Sequence, residues 1–193
     1  ALAADLSWNF TTATGPACPC FVFPSVVTPG IASDPDTNAV ELGMKFRPAV
    51  SGLITGVRFW KGSSTMTGTK SVSLWSTPGA RLATATVTGE TASGWQTGTF
   101  SSPVAVTANT VYVVSYFAPQ GRYAATSAFF TTTGVTNGPL YALRDGESGG
   151  NGVYAYGATS SFPSQTFGAS NYWVDPVFVT SLVDTTPPTV ASV

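Results

Sequence analysis

An all-β chain folded as a two-sheet antiparallel β-sandwich of jelly-roll type is what this sequence predicts, and three observations carry the prediction. Short stretches of alternating apolar and polar residues recur roughly every ten residues, with Gly, Pro, Asn or Asp turn signals between them. No segment of a dozen residues carries helical periodicity. The composition is rich in Thr, Ser, Gly and Val yet 43% hydrophobic, which suits an ordered β module and not a disordered tail.

Residues 1–17 read as a linker or an edge strand, with Trp8 and Phe10 two apart on one face. Cys20 to Val27 is apolar and β-rich, and Thr28, Pro29 and Gly30 break it before the acidic loop Ser33 to Asn38. Val40, Leu42, Met44 and Phe46 then alternate with Glu41, Gly43, Lys45 and Arg47, the period of a strand with one wet face. Leu53 to Trp60 and Val72 to Trp75 are the next strands. Arg81 to Val87 and Trp95 to Phe100, bracketed by Gly89 and Gly94, read as a hairpin. Val104 to Val106, Val111 to Phe117, Gly121 to Phe130, Leu140 to Arg144 and Val153 to Tyr156 continue the series. Asn171 to Val179 closes it, with Pro176 placed at an edge or bulge because proline cannot donate to a ladder. The sandwich module therefore spans 18–182, and Pro187-Pro188 within 183–193 reads as a linker towards a following module.

At 193 residues the chain is large enough to bury a core as one domain. Eight basic residues stand against nine acidic ones, so no basic stripe exists to neutralise phosphates, and nucleic acid is not an expected partner. No apolar run approaches the roughly 20 residues of a membrane helix, and a membrane is not an expected partner either. Cys18 and Cys20 can bridge only by closing a tight ring around Pro19, so a disulfide is open but not the default. With no histidine in the chain they make no ordinary four-ligand zinc site. We read them as structural, and as oxidised if the protein is extracellular.

The stretch from Thr136 to Val179 crowds rings among Gly, Ser and Asn. Flat aromatic area with polar edges suits the apolar face of a sugar. Tyr141, Tyr154, Tyr156 and Phe162 are the expected stacking surfaces, with Arg144, Asp145 and Asn151 hydrogen-bonding hydroxyls. The competing expectation is that these rings fill the interior and that Arg144 pairs with Asp145 or Glu147. Asp34, Asp36, Asn38 and Glu41 gather hard oxygens within eight residues, and Asp175 joins them if the first clear strand neighbours the last. Calcium is the cation such oxygens suit, although the spacing is not that of an EF-hand; otherwise Asp34 and Asp36 cap turns around Pro35.

The absence of histidine removes Ser-His-Asp and Cys-His machinery. Asp145 and Glu147 remain as a conceivable glycosidase pair, but an exposed Gly-rich loop lacks the apolar pocket that raises one carboxyl pKa. The expectation is a non-catalytic carbohydrate-binding module for polysaccharide or oligosaccharide. A passive spacer or adhesion module is the alternative.

The blocks AVELGMKF, GVRFWKG, SLWSTPGARLATAT, ETASGWQTGTF, GPLYALRDG, GGNGVYAYG and NYWVDPVF together resemble the secreted bacterial β-sandwich module known as domain of unknown function 4082. The similarity runs from about Cys18 to Phe178, with Pro176 and Met44 departing from the pattern. The resemblance implies a β-sandwich appended, often beside immunoglobulin-like modules, to secreted or cell-surface proteins that act on polysaccharide, and the expectation is a monomeric module within a longer, multidomain chain.

Overall fold

The computed structural model of the chain describes residues 18–180. The expected linkers at 1–17 and 183–193, with Trp8 and Phe10, lie outside the described residues. Eleven strands follow in order: β1 (Val40–Pro48), β2 (Gly52–Lys61), β3 (Ser71–Ser76), β4 (Arg81–Thr86), β5 (Gly94–Val106), β6 (Tyr112–Ala118), β7 (Val135–Asn137), β8 (Leu140–Ala142), β9 (Val153–Tyr156), β10 (Gln165–Thr166) and β11 (Val174–Val179). They form two antiparallel sheets, the two-layer sandwich that the alternation predicts. One has eight strands along the path β10-β9-β1-β6-β3-β4, with β8 also on β1 and β7 on β8; the other is β11-β2-β5.

The inward face is built from the even positions of β1. Val40, Leu42, Met44 and Phe46 are each almost fully buried, and Val114 and Tyr116 of β6 and Val72 and Leu74 of β3 continue that face. Ile54, Val57 and Phe59 of β2 and Phe178 of β11 oppose them. Phe59 and Tyr116 stack across the interior with ring centroids 4.5 Å apart. Each such side chain removed from water contributes about 1.5–3 kcal/mol, so the alternation fixes the register of both sheets.

Four expectations are corrected. The odd positions of β1 are not a wet face: Glu41 and Gly43 are buried, because the segment around Phe162 and Pro163 lies across the outer side of the sheet. The β4 and β5 strands do not form a hairpin, since β4 pairs with β3 and β5 with β2, and the glycine-flanked connection carries the chain from one sheet to the other. Gly121 to Phe130 is not a strand but an irregular run holding isolated bridges from Ala125 to Ile31 and from Thr126 to Asn171. The apolar segment after Cys20 likewise contributes one bridge, Cys20 to Phe178, and buries Val22 and Phe23. Pro176 sits where expected, on the edge strand β11, one residue before its register shift.

The smaller sheet packs on β1, β3, β4 and β6. The β9 margin of the larger sheet is covered instead by the chain around Tyr123 and by the 167–172 segment. That difference in width opens the sandwich at one side.

Candidate functional site

Direct cross-strand partners share a face. Tyr154 opposes Leu42 and Tyr156 opposes Val40, so both tyrosines lie on the core side of the larger sheet at its β9 margin. Val40 and Leu42 form the floor of a cleft of about 280 Å³ there. Its walls are the rings of Tyr123, Tyr154, Tyr156, Phe167 and Tyr172.

Each wall is held by a specific backbone device. Gly152, at φ 73°, enters β9 with its α-carbon so close to the Ser170 carbonyl that a β-carbon would lie 1.8 Å from that oxygen. This approach brings the 167–172 segment against β9. Asn171 accepts the Trp173 amide on its side-chain oxygen, and Trp173 takes a left-handed φ of 54°. The tight turn buries the Trp173 indole in the core and leaves Tyr172 beside Tyr154, ring centroids 6.5 Å apart. Gly121, at φ 57°, lets the chain pass against the Asp36 carbonyl, and the Arg122 and Asp34 amides then donate to the Asp36 and Tyr123 carbonyls at 2.8 Å. Tyr123 meets Tyr172 edge to face at 5.8 Å. Tyr154 and Tyr156 meet the same way at 5.6 Å, a favoured geometry for aromatic quadrupoles.

Exposure is graded across the cleft. Phe167 is 70% and Tyr156 52% exposed, whereas Tyr172 is almost buried. The Tyr156 hydroxyl donates to Asp36 at 2.6 Å. Burial acts to raise the Asp36 pKa, but hydrogen bonds from Tyr156 and Asn38 outweigh it and hold this carboxyl below its ordinary range. Burial, with the neighbouring Tyr154, pushes the Tyr172 phenol up to about 12. Tyr123 rises further, through burial and the negative charge of Asp34. The cleft therefore presents the neutral phenols of Tyr123, Tyr156 and Tyr172 beside the ionised Asp36 carboxylate at neutral pH.

Of the seven residues expected to bind sugar, the cleft brings together two, Tyr154 and Tyr156. Tyr141 pairs with Arg47 near the far end of β1, roughly 20 Å away at the rise of a strand. Its hydroxyl donates to Glu147, and the Arg47 guanidinium lies over its ring at 5.0 Å. Arg144 lies 3.7 Å from Glu147, the surface pairing weighed as the alternative. Asp145 accepts the Asn151 amide. Asn151 is fully buried: its amide group donates to the Lys45 and Leu143 carbonyls, while its oxygen accepts the Lys45 and Gly152 amides. It ties β1 to β9 and has no free edge for a ligand. Phe162 packs edge to face on Trp75, on the outer side of the sheet, and so faces away from the cleft.

The five expected calcium ligands also divide. Asp34, Asp36 and Asn38 stay together in consecutive turns, with Asp34 accepting the Asp36 amide and Asp36 accepting the Asn38 amide. Glu41 is buried against Ser115, 2.5 Å from its hydroxyl, and burial raises its pKa to about 7. Asp175 belongs to the smaller sheet, where it holds Arg58 at 2.7 Å and accepts the Val22 and Phe23 amides. Among the described residues no group of three or more Asp, Glu, His or Cys is gathered for a metal ion.

Tyr123 is a cleft residue that the sequence reading leaves out, and Phe167 and Tyr172, which lie in the ring-rich stretch, are not among its expected stacking surfaces. Phe167, an aromatic beside Gly168 in an otherwise polar loop, carries a legible signal. Tyr123 carries none, because its partners lie on loops distant in the chain.

Fold and site define a β-sandwich module with a ring-walled cleft at the margin of its wider sheet. The chain belongs to the family described as Domain of unknown function (DUF4082), whose model matches residues 26–174. No curated protein and no solved structure matches it.

Proposed function

We propose that this module binds polysaccharide or oligosaccharide without catalysing its cleavage, within a secreted, multidomain protein. The observation that carries the reading is the cleft itself: five aromatic walls, an apolar floor and phenol hydroxyls at the rim, on the margin the second sheet does not cover. Ring faces lie against the apolar face of a pyranose, and the Tyr156 and Tyr123 hydroxyls with Asp36 read its hydroxyl groups, directly or through water. A spacer needs no such feature and gives no reason for Phe167 to stand 70% exposed beside four tyrosines. Catalysis by Asp145 and Glu147 has no support in their surroundings, since both carboxylates are engaged by Asn151, Tyr141, Arg47 and Arg144. Calcium has no part in this reading, because Glu41 and Asp175 are committed to Ser115 and Arg58. Cys18 and Cys20 are bridged, with α-carbons 4.5 Å apart, although their spacing made that bond open and not the default, and a disulfide fits an oxidising, extracellular setting.

The test is retention on a panel of insoluble polysaccharides. The wild-type module should be retained by at least one, with modest affinity because the buried area is small. Tyr156→Ala and Phe167→Ala should each weaken that retention about tenfold, as expected for an exposed anchor ring. Tyr141→Ala should leave it unchanged. Retention on no member of the panel, or retention indifferent to Tyr156 and Phe167, overturns the proposal.

A further inference from the structure

The cleft has a charge character that a binder of neutral sugar does not need. Asp36 reaches its rim through the Tyr156 hydroxyl, and Asp34 is tied to Tyr123 through the 2.8 Å bond from its amide to the Tyr123 carbonyl. Neither carboxylate forms an ion pair among the described residues. All eight basic residues of the chain fall in the described region, and the guanidiniums that lie over rings use Tyr141, Phe21, Trp95 and Trp75. Among the described residues no cation lies over a ring of the cleft. Arg122, beside Tyr123 in the chain, forms no salt bridge to Asp34 or Asp36. Five aromatic faces therefore line a hollow whose rim carries the Asp36 carboxylate, and no ion pair answers that charge among the described residues.

That combination is complementary to a cation. The negative faces of aromatic rings attract an ammonium group, and a carboxylate at the rim adds Coulomb attraction and a hydrogen-bond acceptor. A neutral hydroxyl gains neither term in full. We infer that the sugar unit seated in this cleft carries a protonated amine, so that the preferred ligand is a polysaccharide of 2-amino-2-deoxy sugars, with the ammonium at the rim formed by Asp36, Tyr156 and Tyr123. The inference rests on the carbohydrate-binding reading and adds the charge of the ligand to it. Asp36 Oδ2, which accepts the Tyr156 hydroxyl, keeps a second lone pair for an ammonium, and the rings supply the surface for the pyranose.

The experiment is calorimetric titration with three β-1,4-linked oligosaccharides of equal length, built from glucosamine, N-acetylglucosamine and glucose, below the pH at which the amine loses its proton. The glucosamine oligomer should bind about tenfold more tightly than either neutral oligomer, and its affinity should fall several-fold as sodium chloride is raised, since salt screens exposed charge. Asp36→Asn keeps an acceptor for the Tyr156 hydroxyl while removing the charge. It should cost the glucosamine oligomer about tenfold in affinity and the neutral oligomers far less, with a cooperative melting transition retained as the check on folding. Equal, salt-independent affinity for all three overturns the inference and leaves the carbohydrate reading standing. Binding of none of them, coupled with retention on no polysaccharide, overturns both. Binding of choline but of no oligosaccharide overturns the amino-sugar assignment by showing a site for free quaternary ammonium instead.

Discussion

The Tyr156 hydroxyl and the Asp36 carboxylate, 120 residues apart in the chain, meet at 2.6 Å on the rim of the cleft. The bond joins β9 to the acidic loop before β1, so one contact positions a wall ring and stabilises the ionised form of a rim acid. Carboxyl-carbon NMR titration should place the Asp36 pKa below its ordinary value of 3.8, and Tyr156→Phe should move it upward. A depressed carboxyl pKa contributes stability that is present above the unfolded value and is lost as pH falls through the folded one. The wild-type advantage over Tyr156→Phe should therefore shrink below about pH 4. An Asp36 pKa indifferent to Tyr156 contradicts the contact.

Glu41 predicts a slope of opposite sign. Burial raises its pKa to about 7, against only partial compensation from the Ser115 hydroxyl, and its second oxygen has no hydrogen-bond partner among the described residues. The folded state therefore binds a proton that the unfolded state has released. Stability from this group is complete below the unfolded carboxyl pKa and is lost as pH rises towards and through 7. Thermal or urea denaturation should show wild type losing up to about 3 kcal/mol relative to Glu41→Gln between pH 4 and pH 8, at roughly 1.4 kcal/mol per pH unit. A difference between the two proteins that does not vary with pH contradicts the assignment.

Arg58 and Asp175 form the buried ion pair of the smaller sheet, with the Arg58 guanidinium also donating to the Phe23 carbonyl. Asp175→Ala leaves a buried guanidinium without its counter-charge and the Val22 and Phe23 amides without their acceptor. Urea denaturation should register a loss of about 3–5 kcal/mol, the usual cost of removing one partner of a buried pair. Replacing both, as Arg58→Met with Asp175→Leu, should cost less than the single change because no charge is left stranded. A double replacement that costs as much as the sum of both singles contradicts the coupling.

The parts of the fold legible in the sequence are those decided by local alternation. β1 is plain in Val40, Leu42, Met44 and Phe46, and β9 is read to its ends at Val153 and Tyr156. Which way a strand pairs is not local: Gly89 and Gly94 turn the chain equally well into a hairpin or across to the other sheet, and packing selects the crossing. The covered outer side of β1 was illegible for the same reason, since the segment that seals Glu41 is a polar run more than 100 residues later. At the site, Tyr154 and Tyr156 could be read from their ring-rich strand. Tyr123 could not, and Tyr172 was visible as a ring but not as a wall, because loops that meet through Gly121, Gly152 and the Asn171 turn bring them there. The sequence makes Asp36 look like a metal ligand because its proximity to Asp34 and Asn38 is visible there, while its distant partner Tyr156 is not.

The most direct test of the central claim is a ring-proton NMR titration with the glycan that retains the module. Shifts confined to Tyr123, Tyr154, Tyr156, Phe167 and Tyr172, saturating together, are the predicted result. Shifts centred on Tyr141 or Phe162, with those five rings unmoved, would contradict it.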